Sequence, residues 1–338
     1  MKIKLLIVFL LLSVNLLKSQ LTPQFHHFSV DDGLSENNIL CMLQDKKGIL
    51  WFGTYDGLNS YDGYNFNHYK GSEHHKFKLS NYRIDNIQED LNGFLWIQTY
   101  DGRHYRFNTS KFEFIPIPEI VASYSKKANI YREKYISKDS SVWLYANDQS
   151  VSSILRVSAD STNTNFRLTD FQLTSPINET VKVNSIVKGT GGISWILTNL
   201  GIYYVINSES RIKTFQNPAL RNEFFSFCEQ DKYCFFGGND GLLIKYNAKN
   251  QNFSRVKISS QFDVIKLCNI GKNHVLLVTN SKQFFVYDAY NDSFEKYELS
   301  NKVPGVIYDI QRDNSGKIWF ATSFKGAVYF DPLTKIIH

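Results

Sequence analysis

The stretch Gln44-Asp45-Lys46-Lys47-Gly48-Ile49-Leu50-Trp51-Phe52-Gly53-Thr54-Tyr55-Asp56-Gly57 returns as Glu89-Asp90-Leu91-Asn92-Gly93-Phe94-Leu95-Trp96-Ile97-Gln98-Thr99-Tyr100-Asp101-Gly102. It returns again as Arg312-Asp313-Asn314-Ser315-Gly316-Lys317-Ile318-Trp319-Phe320-Ala321-Thr322. Each copy holds Asp six before Trp, Gly three before and Thr three after, a coincidence too specific for chance. Weaker copies fill the interval: Asp139 to Trp143, Gly192 to Trp195 with Thr198, Asp231 to Phe235 with Gly238, and Asn273 to Leu276 with Thr279. The anchors Trp51, Trp96, Trp143, Trp195, Phe235, Leu276 and Trp319 lie 45, 47, 52, 40, 41 and 43 residues apart. That makes seven units with a period of about 45 residues.

The punctuation of one unit dictates its fold. The apolar run Ile39 to Leu43 ends at Asp-x-x-Gly, where Asp can bond its own turn and Gly supplies a positive φ. Ile49 to Thr54 ends at Asp56-Gly57, Leu58 to Tyr61 ends at Asp62-Gly63, and Phe66 to Tyr69 alternates aromatic with polar. Each unit is therefore a four-stranded antiparallel meander. Such a unit cannot bury both faces alone and must stack on its neighbours. The expected fold is all-β, a seven-bladed β-propeller with four antiparallel strands per blade. The anchor Trp residues then fill the gaps between blades, and Thr54, Thr99, Thr198, Thr279 and Thr322, in one register, are structural. Phe25 to Phe28 has the sequence of a fourth strand and can close the ring on blade seven, although Leu333 to Ile337 competes for that place.

Residues 1–19 carry Lys2 and Lys4, an apolar run from Leu5 to Leu12 extended by Val14, Leu16 and Leu17, and a small residue at Ser19. This is the layout of a signal peptide, with too few apolar residues to span a bilayer. The expected division is a leader over 1–19 and a propeller over 20–338, exported to the periplasm without a membrane span. The net charge of +6 shrinks accordingly, since Lys2, Lys4 and Lys18 supply half of it. Overall basicity is no argument for nucleic acid. With 26 Phe, 20 Tyr and 5 Trp against 7 Pro and 21% charged residues, the chain leans toward sheet and away from disorder or coiled coil. The four cysteines, Cys41, Cys228, Cys234 and Cys268, lack framework spacing and read as buried thiols, with Cys228 and Cys234 facing each other across a hairpin as the other possibility.

The pattern Asp-Gly-Leu-Ser-x-Asn at 32–37, followed by Gln-Asp-x-x-Gly-x-Leu-Trp-Phe-Gly-Thr-x-Asp-Gly-Leu-x-x-Tyr-Asp at 44–62, resembles the two-component regulator propeller repeat. The match is close over 25–110 and 303–331 and looser between. The resemblance implies the periplasmic sensor of a hybrid two-component histidine kinase in a polysaccharide-degrading bacterium. In that family two propellers, a small β-sandwich, a membrane helix and a kinase follow one another, and only the first part matches here. A second propeller or the remainder of such a kinase is the implied partner.

In a propeller the strand-four-to-one loops and strand-two-to-three turns share one face around the axial channel, and ligands favour such mouths. The turns place Tyr55-Asp56, Tyr100-Asp101 and Phe324-Lys325 there, although the Asp-Gly pairs also suit turn chemistry alone. Seven residues before the turn Asp stand Asn38, Arg83 and Arg132, with Lys182 near that place in blade four. Arg presents a planar fork suited to carboxylate or sulfate. With Tyr82, Arg103 and His104 as stacking and bonding groups, these residues suit an oligosaccharide, and an acidic one in particular.

Other chemistry finds little support. Asp313 to Trp319 superficially resembles a sialidase box, but its spacing has an extra residue and its turn joins strands one and two. The regularly placed carboxylates sit at turns, so no acid and base pair can be assigned. His26-His27 and His74-His75 are neighbours that point to opposite sides of a strand, a poor metal geometry. A sensing propeller that binds without chemistry and needs no cofactor comes first. An interaction or scaffold propeller and a secreted carbohydrate-active enzyme are the alternatives.

Overall fold

The three clearest repeats fold as hairpins whose Asp closes the turn: as Asp90 and Asp313 do in theirs, Asp45 Oδ1 accepts the backbone N–H groups of Lys47 and Ile49, both at 2.9 Å. Gly48, in the same turn, takes φ 90°, a value that a side chain resists. The computed structural model describes residues 24–71, 79–90, 92–115, 117, 132–136, 142–147, 152–159, 166–173, 179–206, 211–214 and 221–332. Its strands form seven four-stranded antiparallel sheets arranged as the blades of a propeller.

The chain enters on β1 (Phe25–Phe28) and then builds blade one from β2 (Ile39–Gln44), β3 (Leu50–Thr54), β4 (Gly57–Tyr61) and β5 (Phe66–Tyr69). Blade two is β6 (Ile84–Glu89), β7 (Phe94–Thr99), β8 (His104–Asn108) and β9 (Glu113–Ile115). Blade three is β10 (Arg132–Ile136), β11 (Val142–Asn147), β12 (Ser152–Ala159) and β13 (Phe166–Leu173). Blade four is β14 (Val183–Lys188), β15 (Ile193–Thr198), β16 (Gly201–Ile206) and β17 (Lys213–Thr214). Blade five is β18 (Phe224–Gln230), β19 (Tyr233–Gly238), β20 (Leu242–Asn247) and β21 (Phe253–Lys257). Blade six is β22 (Val264–Gly271), β23 (His274–Thr279), β24 (Phe284–Asp288) and β25 (Ser293–Tyr297). Blade seven is β26 (Ile307–Arg312), β27 (Ile318–Thr322) and β28 (Ala327–Phe330), completed by β1. The first strands neighbour one another around the axis, β26 meeting β2 to complete the circle.

Closure is thus made by the chain's own start. β1 pairs antiparallel with β28, Phe25 opposite Phe330 and Phe28 opposite Ala327. The His26 ring stacks on Tyr329 at 4.7 Å, and Phe28 meets Tyr61 at 5.0 Å and Trp319 at 6.0 Å. The competing segment Leu333 to Ile337, like the leader over 1–19 and His74-His75, lies outside the described residues.

The core lies between blades. Buried Trp51 meets Phe107 of blade two at 5.6 Å, Trp195 meets Phe236 of blade five at 5.2 Å, and Trp319 meets Phe52 of blade one at 6.0 Å. The recurrent threonines hold turns, since Thr54, Thr198 and Thr322 donate to the carbonyls of Gly57, Gly201 and Gly326 at 3.0, 2.8 and 2.7 Å. All four cysteines are free, and Cys228 pairs across the hairpin with Phe235 while Glu229 faces Cys234, so the two thiols are not opposite.

Candidate functional site

One hydrogen bond in each of six blades fixes the mouth. The residue after the second strand donates its N–H to the carbonyl of the residue before the first: Tyr55 to Asn38, Tyr100 to Arg83, Asn199 to Lys182, Asn239 to Glu223, Asn280 to Asp263 and Ser323 to Val306, over 2.9–3.3 Å. Each pair of side chains therefore stands side by side on one face of the ring. In blades four and six the turn residue is an Asn that bonds back to the neighbouring loop. Asn199 accepts from Lys182 N at 2.6 Å and donates to Thr180 O at 3.0 Å, while Asn280 accepts from Asp263 N at 3.1 Å and donates to Asp263 Oδ2 at 3.0 Å.

Blades one and two carry Tyr at that position, and their rings face solvent, with Tyr100 61% and Tyr55 40% exposed. Between them lies Arg83, its guanidinium carbon 4.9 Å from the Tyr55 centroid and 4.2 Å from the Tyr100 centroid. Arg83 Nε donates to Asp85 Oδ1 at 2.8 Å, which fixes the plane of the fork. Two aromatic faces and one carboxylate thus hold a single cation flat at the mouth. Alongside, Lys70 Nζ meets Asp56 Oδ2 at 2.5 Å and lies 6.0 Å from the ring of Tyr82.

The remaining residues expected at the site divide. Asp101 belongs to its turn, its Oδ2 accepting from Ser80 Oγ at 2.6 Å and its Oδ1 from Thr99 Oγ1 at 2.5 Å, with Arg103 Nε 3.5 Å from Oδ2. Burial raises its pKa, but those hydrogen bonds and the charge of Arg103 outweigh it and hold the carboxyl below the usual range. Lys182 is the positional equivalent of Arg83, and Lys325 is exposed on the blade-seven turn. His104 is buried inside β8 at 3% exposure and so is not a bonding group of the mouth. Burial pushes its imidazole down to about 4.

Arg132 does not share the place of Arg83. It pairs with Tyr145, two residues beyond Trp143, as Asn86 pairs with Gln98, two beyond Trp96. It therefore corresponds to Asn86, three residues further along the chain than Arg83. Counting from the turn Asp fails here because Asp139 stands only four residues before Trp143. The side chain of Arg132 lies outside the described residues. At the true position blades five and six carry Glu223 and Asp263, so the mouth runs from basic to acidic around the ring.

Two partners of the Arg83 cluster escaped the sequence reading. Asp85 follows Arg83 by two, the spacing that puts strand residues on one face, and was legible in principle. Lys70 reaches Asp56 across 14 residues from the far end of blade one, and no local signal marks it.

Among the described residues no group of His, Cys, Asp and Glu could hold a metal ion, and no helix is long and apolar enough to cross a membrane. Residues 33–56 match the family described as two component regulator propeller. A stretch of 74 residues, 22% of the chain, is 36% identical to Histidine kinase P4 of Formosa agariphila and covers 5% of that protein. The ring superposes at TM-score 0.67 and 20% identity on the extracellular domain assigned to hybrid two component system BT3049 of B. thetaiotaomicron, covering 91% of this chain and 42% of that one. The corresponding domain of BT4673 from the same organism matches equally, at TM-score 0.67 and 20% identity, with 91% and 40% covered. The chain thus spans about two fifths of the length of these structures, and at this identity the likeness is one of fold.

Proposed function

We propose that this chain, a propeller of the two-component regulator type, is the ligand-sensing part of a hybrid two-component histidine kinase system, exported to the periplasm, and that it binds an oligosaccharide at the blade-one and blade-two side of its mouth. The observation that carries this is the Tyr55–Arg83–Tyr100 stack, two exposed rings around one oriented guanidinium, where blades four and six use Asn to seal the turn. Flat exposed rings suit the apolar faces of sugars, and the guanidinium edge left over from Asp85 suits a carboxylate or sulfate. An acidic oligosaccharide combines both. Binding without chemistry agrees with carboxylates that belong to turns and ion pairs, as at Asp56, Asp85 and Asp101. The leader over 1–19 delivers the propeller to the compartment where such fragments occur, and the kinase activity resides in another part of the system.

Titration calorimetry of the purified chain against acidic and neutral oligosaccharides tests this. An acidic oligosaccharide should bind, and Arg83→Ala should weaken it at least about tenfold. Unchanged affinity in Arg83→Ala removes the proposal, and release of reducing ends in the same samples replaces it with an enzyme.

A further inference from the structure

The turn between β27 and β28 holds a large side chain where such a residue is strained. Phe324 has φ 59°, in the left-handed region, whereas Asp56, Asp101 and Leu200, which like it stand two residues after the turn Thr, are not in that region, and of its described counterparts only the short Asp240 of blade five (φ 52°) shares it. A bulky residue at positive φ is uncommon and persists only where its surroundings impose it. Here they do so from the start of blade one. Asn38, 5% exposed, accepts the Phe324 N–H on its Oδ1 at 3.0 Å. Glu36 in turn fixes Asn38, Oε1 accepting from Asn38 Nδ2 at 3.0 Å and Oε2 from Asn38 N at 2.7 Å. The Gly326 N–H donates to Asn37 O at 2.8 Å and completes the clamp.

The ring held in this way does not pack. Phe324 is 70% exposed, whereas Phe112, a second Phe at positive φ (55°), lies parallel to Tyr69 with centroids 5.6 Å apart. The strain at Phe112 is therefore matched by a packing gain, and that at Phe324 is not. Its place explains the difference: Asn38 bonds Phe324 through its side chain and Tyr55 N through its carbonyl. The Phe324 turn thus shares Asn38 with the Tyr55 turn and stands beside it on the blade-seven side of the mouth.

We infer that Phe324 is a ligand-contact residue, a third aromatic platform that extends the mouth site across blade seven and takes the apolar face of a further sugar ring. Glu36 and Asn38 are its positioning residues. The inference rests on the mouth being the oligosaccharide site, and it makes the ligand longer than a disaccharide bound at Arg83 alone.

The test uses the full chain with trisaccharides of galacturonate, of a glucuronate-containing polymer and of a sulfated galactan, and cellotriose as the neutral probe, read by calorimetry and thermal unfolding. Phe324→Gly removes ring and strain together, so it should raise the unfolding midpoint and weaken the bound trisaccharide about tenfold. Phe324→Ala keeps the strain and should weaken binding equally. Asn38→Ala should weaken binding too, with no further loss when combined with Phe324→Ala, a coupling that mere destabilisation does not produce. Phe112→Ala should lower the midpoint and leave affinity alone.

A lower midpoint in Phe324→Gly shows that the ring packs and overturns the inference. Unchanged affinity in both Phe324 variants, with Arg83→Ala still weakened, overturns it and leaves the mouth site standing. Unchanged affinity in Arg83→Ala as well, or no binding by any probe, overturns both.

Discussion

Trp51 donates its indole N–H to Asp45 Oδ2 at 2.9 Å, while the other oxygen of the same carboxylate holds the backbone of the turn. Trp96 with Asp90 at 3.2 Å and Trp319 with Asp313 at 2.8 Å repeat the arrangement. The six-residue spacing of the repeat is therefore one bond: the Asp that turns the chain also satisfies the Trp that fills the gap between blades. Asp45→Ala leaves a buried indole N–H and two turn N–H groups without their acceptor, at a cost of about 3 kcal/mol. Asp45→Asn keeps one acceptor oxygen and should cost clearly less. Denaturant unfolding of both variants measures the difference, and equal losses would mean that the acceptor oxygen kept by Asn contributes nothing.

The dependence of closure on β1 predicts a sharp boundary at the N-terminus. Removing residues up to 23 leaves every pair from Phe25–Phe330 to Phe28–Ala327 in place, whereas removing residues up to 28 deprives blade seven of its outer strand. The first truncation should unfold like the full chain and the second should aggregate or lose its cooperative transition. Phe28→Ala, which takes a ring away from Tyr61, Phe66 and Trp319, should cost about 2–3 kcal/mol. Equal unfolding midpoints for the two truncations would show that something other than β1 seals the ring.

Much of this architecture could be read from the chain because the repeat records local chemistry, with Asp, Gly, Trp and Thr acting within one hairpin. What escaped reading acts between hairpins. Gln44, Glu89 and Glu229 each precede the position of the turn Asp and bond the turn of the preceding blade: Asn314 N at 2.6 Å, Lys46 N at 3.0 Å and Thr190 N at 2.8 Å. The Gln and Glu are visible in the repeats, but their partners lie about 40 residues or most of the chain away. The site shows the same limit. Arg83 and its two Tyr neighbours are legible because the repeat fixes their register, the count to Arg132 fails because Asp139 stands four and not six residues before Trp143, and His104 faces inward for reasons of packing that its neighbours in sequence do not reveal.

His104 makes stability depend on pH. Its pKa falls from 6.5 to about 4 on burial, so the unfolded chain takes up the proton before the folded one does. The stability that neutral His104 permits is complete above 6.5 and is lost as pH drops toward 4, about 3 kcal/mol over that window. A His104→Gln variant should show a flatter profile of unfolding free energy between pH 7 and 4. Parallel profiles for the two proteins would place the titration elsewhere.

Replacing Arg83 by Lys separates charge from shape at the mouth. The ammonium keeps the positive charge and can still reach Asp85, but it cannot lie flat between Tyr55 and Tyr100 or present a fork. Each exposed cation–π contact contributes about 0.5–1 kcal/mol, so losing two planar contacts should weaken an acidic oligosaccharide by roughly tenfold even with the charge retained. The rings themselves should then loosen, and Tyr100→Ala in the Arg83→Lys background should cost less than in the wild type. Calorimetry at low and high salt distinguishes the two contributions, because a purely charge-driven site loses affinity with salt equally in both proteins. Wild-type affinity in Arg83→Lys would show that the stack around Arg83 holds the turn and does not select the ligand.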